Sequence, residues 1–461
     1  MKYYLFFFII LVFRGNLTAQ SFTVNQRIYW LSKIWKDVSN NYCDPNRLLE
    51  INWDSCFVSS IPTVMNPMTD REYYKLLEKL FATIQDGHTQ LDYRQYLRSD
   101  KEIDYLPIDI DYNVDEFYIN GVSNEIKNAV PLGSLVLKIN NIPIEQYLEK
   151  YVFPYTASST LQNRKRQAIS SIACGNKNDS ILLCIKTPTG DIANVYIKYN
   201  VIEERVVKKD MLALFNSNVV NDYRRTDAYL KKDSFDNSCF YFRFDHLTQF
   251  SMTNLLNSVA EQVNKANYLV LDLRYCSGGN ELMGDTLLMS FLDVDRIETY
   301  PSVTRANNAF YASRGFGYKQ YTDYYENMKV DTLNSEILYK TNLPLFKQPL
   351  FILVGDRTLS AAEDLLITLK LHFPQRAILV GTPSGGSTGA PLVYKLPFHN
   401  SYYRICTRKP LLPSGMFEAG IQPDYFYKPS IQSALEGKDE IFNYVSRIYE
   451  NEIMIWQGGG K

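Results

Sequence analysis

The sequence has no C-x-x-C pair, only four histidines and, past its first residues, no long apolar run. Each shortage removes a class of protein. Its seven cysteines stand apart at 43, 56, 174, 184, 239, 276 and 406, so neither a zinc cage nor a redox dithiol is indicated. Seven is odd, which leaves at least one thiol unpaired within the chain; spacing alone assigns no disulfide. Charge of one sign is also missing: 49 basic residues face 50 acidic ones, which gives no footprint for nucleic acid or an anionic membrane. The glycine-rich turn Gly381–Gly389 lacks the lysine of a phosphate loop, so no nucleotide cofactor or metal is expected.

What is present begins with Met1-Lys2, an apolar run from Leu5 to Phe13, then Arg14 and a small-residue exit at Thr18 and Ala19. A spanning helix needs about twenty apolar residues. This shorter run reads as a signal peptide over 1–20, and the mature chain is expected in the periplasm or outside the cell, without stable membrane insertion. Four further regions follow: a helical one over 21–100, a β-rich one over 103–202, a polar connector over 203–236 and an α/β core over 237–450. In the first, Leu31, Trp35 and Val38 share a helical face, and Thr69-Asp70-Arg71-Glu72 opens a second helix as a capping box. Gly87 reads as the stop of that helix, placing His88 just beyond it. In the core, Tyr268 to Leu273 and Pro349 to Gly355 are continuous apolar runs, as buried parallel strands require.

The stretch Leu353 to Glu363 places Ser360 between a buried strand and a helix, where free backbone amides favour a developing oxyanion. Ser360-x-x-Glu363 is equally a capping box, so the local pattern leaves nucleophile and cap both open. A second turn, Asp272 to Gly279, carries paired glycines through which a backbone amide can approach a reacting carbonyl. A serine nucleophile needs a base. His372 lies twelve residues along the Ser360 helix, about 18 Å away by the helical rise, and cannot reach back. His246 follows a strand and His399 sits in a hairpin turn, leaving His88 as the best local candidate.

Asp86-Gly87-His88-Thr89, the turn from Asp272 to Gly279, Thr358-Leu359-Ser360-Ala361-Ala362-Glu363 and Glu418-Ala419-Gly420-Ile421-Gln422-Pro423-Asp424 occur in the order of the motifs of the C-terminal processing, or tail-specific, serine peptidases, which this chain resembles. The resemblance implies an α/β core of crotonase and Clp protease-like ββα units, beside the N-terminal helical domain. It also implies a PDZ-like domain, which Leu132 to Pro143 looks like. One branch of the family pairs the serine with a lysine after the next strand; Gly381–Gly389 offers none. The other, similar to the tricorn core, uses a histidine from an earlier segment. By that likeness Ser360 is the nucleophile, His88 the base and Glu418 the group that orients it, with Gly278 or Gly279 and Ala361 forming the oxyanion hole. The substrate is then a polypeptide. Two departures stand out: Gly87 where that branch has serine, and Cys276 where the turn usually has asparagine. They support the alternative of an inactive scaffold that binds peptide or apolar ligands. A carbohydrate-processing enzyme is a third reading, prompted by 35 tyrosines, but no carboxylate pair can be placed for it.

Overall fold

The computed structural model describes residues 21–200, 226–248 and 251–458. The expected signal peptide, residues 203–225 of the connector and the end of the glycine tail lie outside the described residues. Among those described, no helix is long and apolar enough to cross a membrane.

Helices α1 (Val24–Asn41) and α2 (Asp70–Ala82) both open on capping boxes, Thr23 with Gln26 and Thr69 with Glu72. They bury Leu31, Ile34 and Val38 against Tyr73, Tyr74, Leu77 and Phe81. Trp35, expected on the buried face, instead stacks on Phe57 at its margin. The turn after α2 takes its left-handed residue at Gln85, with φ 59°, and not at Gly87. Gly87 is therefore not the helix stop, and its lack of a side chain has another cause. The chain then runs through His88 into the short strand β1 (Gln90–Asp92).

Five antiparallel strands form the path of the next unit: β2 (Ile108–Asn113), β3 (Glu116–Val122), β4 (Leu135–Ile139), β5 (Ser180–Lys186) and β6 (Ile192–Lys198), and off this path the two residues Ile142–Pro143 add a short sixth strand to β4. Alternation along them turns Ile110, Ile119, Val136, Leu183 and Ile185 inward. Helix α3 (Leu161–Ile172), inserted between β4 and β5, closes this core with Ala168 and Ile172.

The sheet of the core has six strands in the order β7 (Thr226–Lys232), β8 (Ser238–Phe244), β9 (Tyr268–Asp272), β10 (Leu350–Val354), β11 (Ala377–Gly381) and β14 (Tyr425–Phe426). Only the β7–β8 pair is antiparallel; the remainder run parallel. Because β7 belongs to this sheet, the core starts before the expected boundary at 237, and the last part of the proposed connector is strand. Every residue of β9 and β10 is buried, since helices cover both faces. On one side lie α4 (Met252–Val263), α5 (Glu281–Ser290) and α6 (Ala361–His372), packed on Leu269, Leu271 and Ile352. On the other, α7 (Glu440–Gly458) sets Phe442, Val445 and Tyr449 against Tyr268, Val270 and Phe351.

Two connections position the site. The hairpin β12 (Pro391–Lys395) and β13 (Tyr402–Cys406) turns on His399 and Asn400, both at positive φ, and β13 pairs with β1 through Leu91 and Tyr403. The core thereby grips the segment that carries His88. Arg166 on α3 meanwhile reaches Asp111 on β2 and, at 3.0 Å, Asp356 in the loop after β10. This ion pair ties the five-stranded unit to the turn that presents Ser360.

Candidate active site

Ser360 stands where β10 has ended and α6 begins, with φ 58° and ψ −127°, a conformation that L residues occupy only under constraint. Its backbone is held on both sides: the amide donates to the Ser387 carbonyl at 2.9 Å, and its carbonyl accepts from the Glu363 and Asp364 amides at 2.7 and 3.0 Å. The Glu363 carboxylate accepts from the Ser360 amide at 3.2 Å, the return half of a capping box. Ser360 Oγ makes no cap hydrogen bond. It meets His88 Nε2 at 3.2 Å, across 272 residues of sequence.

The other three histidines are engaged elsewhere: His246 with Ser277, His372 with the Thr299 carbonyl and His399 with Asp70. His88 is 7% exposed, and its amide donates to Asp86 Oδ1 at 2.8 Å. Burial, reinforced by the positive charges of Arg404 and Arg408, pulls the imidazole down to about 3, so it is neutral at physiological pH. Its second nitrogen, Nδ1, lies 2.6 Å from Ser387 Oγ.

Glu418 does not join this ring. It is exposed, and its carboxylate accepts from the Phe417 amide of its own loop. What reaches the centre from that loop is backbone: Ile421 donates to Ser384 Oγ at 2.7 Å and its carbonyl accepts from the Ser384 amide. The acid that does organise the site is Glu363, which is fully buried. Four donors converge on it, namely Ser384 Oγ (2.5 Å), the Gly386 amide (2.7 Å), the Ser387 amide (2.9 Å) and the Ser360 amide. Even so, burial pushes its carboxyl up to about 8. The glycine-rich turn Gly381–Gly389 is thus pinned by a buried acid. Ser387 was missed because a serine among glycines has no local signature. Glu363 could be read only as a cap.

Gly278 packs directly on Ser360: a Cβ there would come 2.5 Å from Ser360 Cβ and 2.9 Å from the Ala361 amide nitrogen. With φ at +89° it needs glycine on conformational grounds as well. Gly279 packs instead against the Leu247 carbonyl. Among the described residues, neither the Gly278 nor the Ala361 amide donates to a backbone carbonyl. Cys276 is buried and its thiol pushed up to about 12 by desolvation, so it is a packing residue with no thiolate character. Asp272 and Arg274 pair with each other at 2.7 Å, and Arg274 also reaches Asp439 on the opposite face.

A half-buried serine against a buried neutral histidine, with the Gly278 and Ala361 amides close by at the end of a parallel sheet, is an arrangement capable of nucleophilic acyl transfer. Residues 228–426 match the model of Peptidase family S41, and that match supports a serine-type peptidase. No curated protein matches this chain in sequence. Among solved structures, mature CPAF in complex with lactacystin is 12% identical, with a TM-score of 0.68 over 93% of this chain and 99% of that one. A putative peptidase from Parabacteroides merdae ATCC 43184 is 15% identical, with a TM-score of 0.50 over 93% and 97%. At such identities the likeness is one of fold.

Proposed function

We propose that this chain is an exported peptidase that hydrolyses polypeptides through an acyl-enzyme on Ser360, with His88 as general base. The observation that carries the reading is the 3.2 Å approach of His88 Nε2 to Ser360 Oγ between segments 272 residues apart. Neutral imidazole takes the Ser360 proton as Oγ attacks the peptide carbonyl and returns it to the leaving amine; water then cleaves the ester by the same route. The amides of Gly278 and Ala361 face the carbonyl oxygen as it becomes an oxyanion. Gly279, turned toward Leu247, supports this arrangement through the turn it completes.

The division into a helical domain (21–100), a PDZ-like domain (103–202) and a crotonase and Clp protease-like core fits this activity. The five-stranded unit would hold a chain end, while Arg166 transmits its position to the Ser360 turn. The alternative of an inactive scaffold draws on 35 tyrosines and 25 phenylalanines together with Gly87 and Cys276; that Gly87 leaves room for Ser387 and Cys276 is buried packing supports the active reading.

The test is labelling with a fluorophosphonate together with cleavage of an unfolded protein substrate. The parent should label at Ser360 and cut; Ser360→Ala and His88→Ala should retain the fold and do neither. Parental cleavage by either variant would refute the mechanism.

A further inference from the structure

We infer that Ser387 is the positioning residue of this site. Its hydroxyl accepts the Nδ1 proton of His88, fixes the tautomer whose Nε2 lone pair faces Ser360, and fills the space a side chain at position 87 would need. The inference rests on the reading of Ser360 and His88 as nucleophile and base.

Three observations converge. First, Ser387 Oγ lies 2.6 Å from His88 Nδ1 and the residue is 5% exposed, so water competes little for the contact. Second, Ser387 is not a free turn residue. Its amide is held by Glu363 and its carbonyl by the Ser360 amide, both at 2.9 Å, so nucleophile and positioning hydroxyl share one backbone frame. Third, Gly87 does not have positive φ and needs glycine for no conformational reason. A Cβ there would lie 2.7 Å from Ser387 Oγ and 3.0 Å from Ser387 Cβ. The hydroxyl expected beside the histidine from position 87 is therefore supplied from position 387, and the two positions exclude each other.

The partner is a neutral dipole. Around His88 the titratable groups are Asp86, whose side chain accepts from the His88 amide, Arg404 on β13, which donates to the Gly87 carbonyl at 2.9 Å, Arg408, and Glu363 behind Ser387. Among the described residues no carboxylate accepts a hydrogen bond from the ring. Orientation is thus supplied without the negative charge that would raise the imidazole's basicity.

The experiment compares Ser387→Ala, Gly87→Ser and the exchange variant carrying both Gly87→Ser and Ser387→Gly, each in the full chain. Ser387→Ala should lower kcat on the order of 10²-fold with KM little changed, since the ring loses its set orientation and not a substrate contact. Gly87→Ser should also be impaired, by crowding at 387. The exchange variant should recover at least tenfold over the worse single variant, because one hydroxyl again faces Nδ1. Folding is controlled by ring spectra of ¹⁵N-histidine-labelled protein. Four histidines give a sparse spectrum, in which His88 alone should lose its fixed Nδ1–H tautomer in Ser387→Ala. Parental kcat, pH profile and tautomer in Ser387→Ala, or no recovery in the exchange variant, would overturn the inference. If His88→Ala is inactive while Ser387→Ala is parental, only the positioning role fails; if His88→Ala is itself active, the underlying mechanism fails.

Discussion

Replacing Ser360 by glycine should stabilise the protein while abolishing its activity, and the comparison that isolates the effect is with Ser360→Ala. Both variants lose Oγ, and neither loses a cap, because Oγ caps nothing. Alanine keeps the Cβ at φ 58° and ψ −127°; glycine removes it. A side chain in such a region costs about 1–3 kcal/mol, while glycine forfeits roughly 0.5–1 kcal/mol through the greater freedom of the unfolded chain. Glycine should therefore exceed alanine by about 1–2 kcal/mol. Ser360 is only partly buried, so the missing Cβ leaves no sealed cavity to offset the gain. For a core near 200 residues that difference corresponds to about 3–6 °C in melting temperature, within reach of scanning calorimetry. The larger chain need not unfold in one step, so the transition to follow is that of the catalytic core. A glycine variant no more stable than the alanine variant would show that the turn carries no strain at Ser360.

Two pH experiments follow from burial. With His88 pulled down to about 3 by burial and by Arg404 and Arg408, the acid limb of kcat/KM should fall well below the roughly 6.5 of free imidazole; a limb at 6.5 or above would contradict the buried, carboxylate-free ring. The same shift means that folded His88 binds protons less readily than unfolded His88, so its share of stability is lost as pH falls from about 6.5. Asp285 on α5 behaves oppositely: burial, aided by Glu281 and Asp364, pushes its carboxyl up to about 7. The folded state then holds a proton that the unfolded state releases, so stability declines as pH rises from about 4 to 7, by about 4 kcal/mol at most. Asp285→Asn should remove that decline and melt above the parent at pH 8 but not at pH 3.5; equal melting of both proteins at pH 8 would exclude the effect.

How much of this was legible depended on whether the physics is local. The continuous apolar runs of β9 and β10 announced buried parallel strands, and those strands are buried throughout. His88 could be singled out because imidazoles are scarce here and helical rise disqualifies His372. Strand β7 escaped notice since its Thr-Asp-Ala-Tyr-Leu-Lys-Lys lies at the sheet edge and half of it faces water, which leaves no apolar run to read. Glu418 and Glu363 exchanged importance for a similar reason. Both are acids near a glycine turn, and only the tertiary fold shows one in solvent and the other at the convergence of four donors. The role of Ser387 arises between segments 299 residues apart, where no sequence window can report it.

The 272-residue separation of Ser360 and His88 also sets when the enzyme can begin to work. The two side chains are brought together through β13, which is made later than Ser360 and pairs with β1 from the beginning of the chain. A growing chain holds both residues without holding their pair. Its own unfolded segments, the nearest peptide bonds available, are thereby safe from it until the β1–β13 pairing is complete.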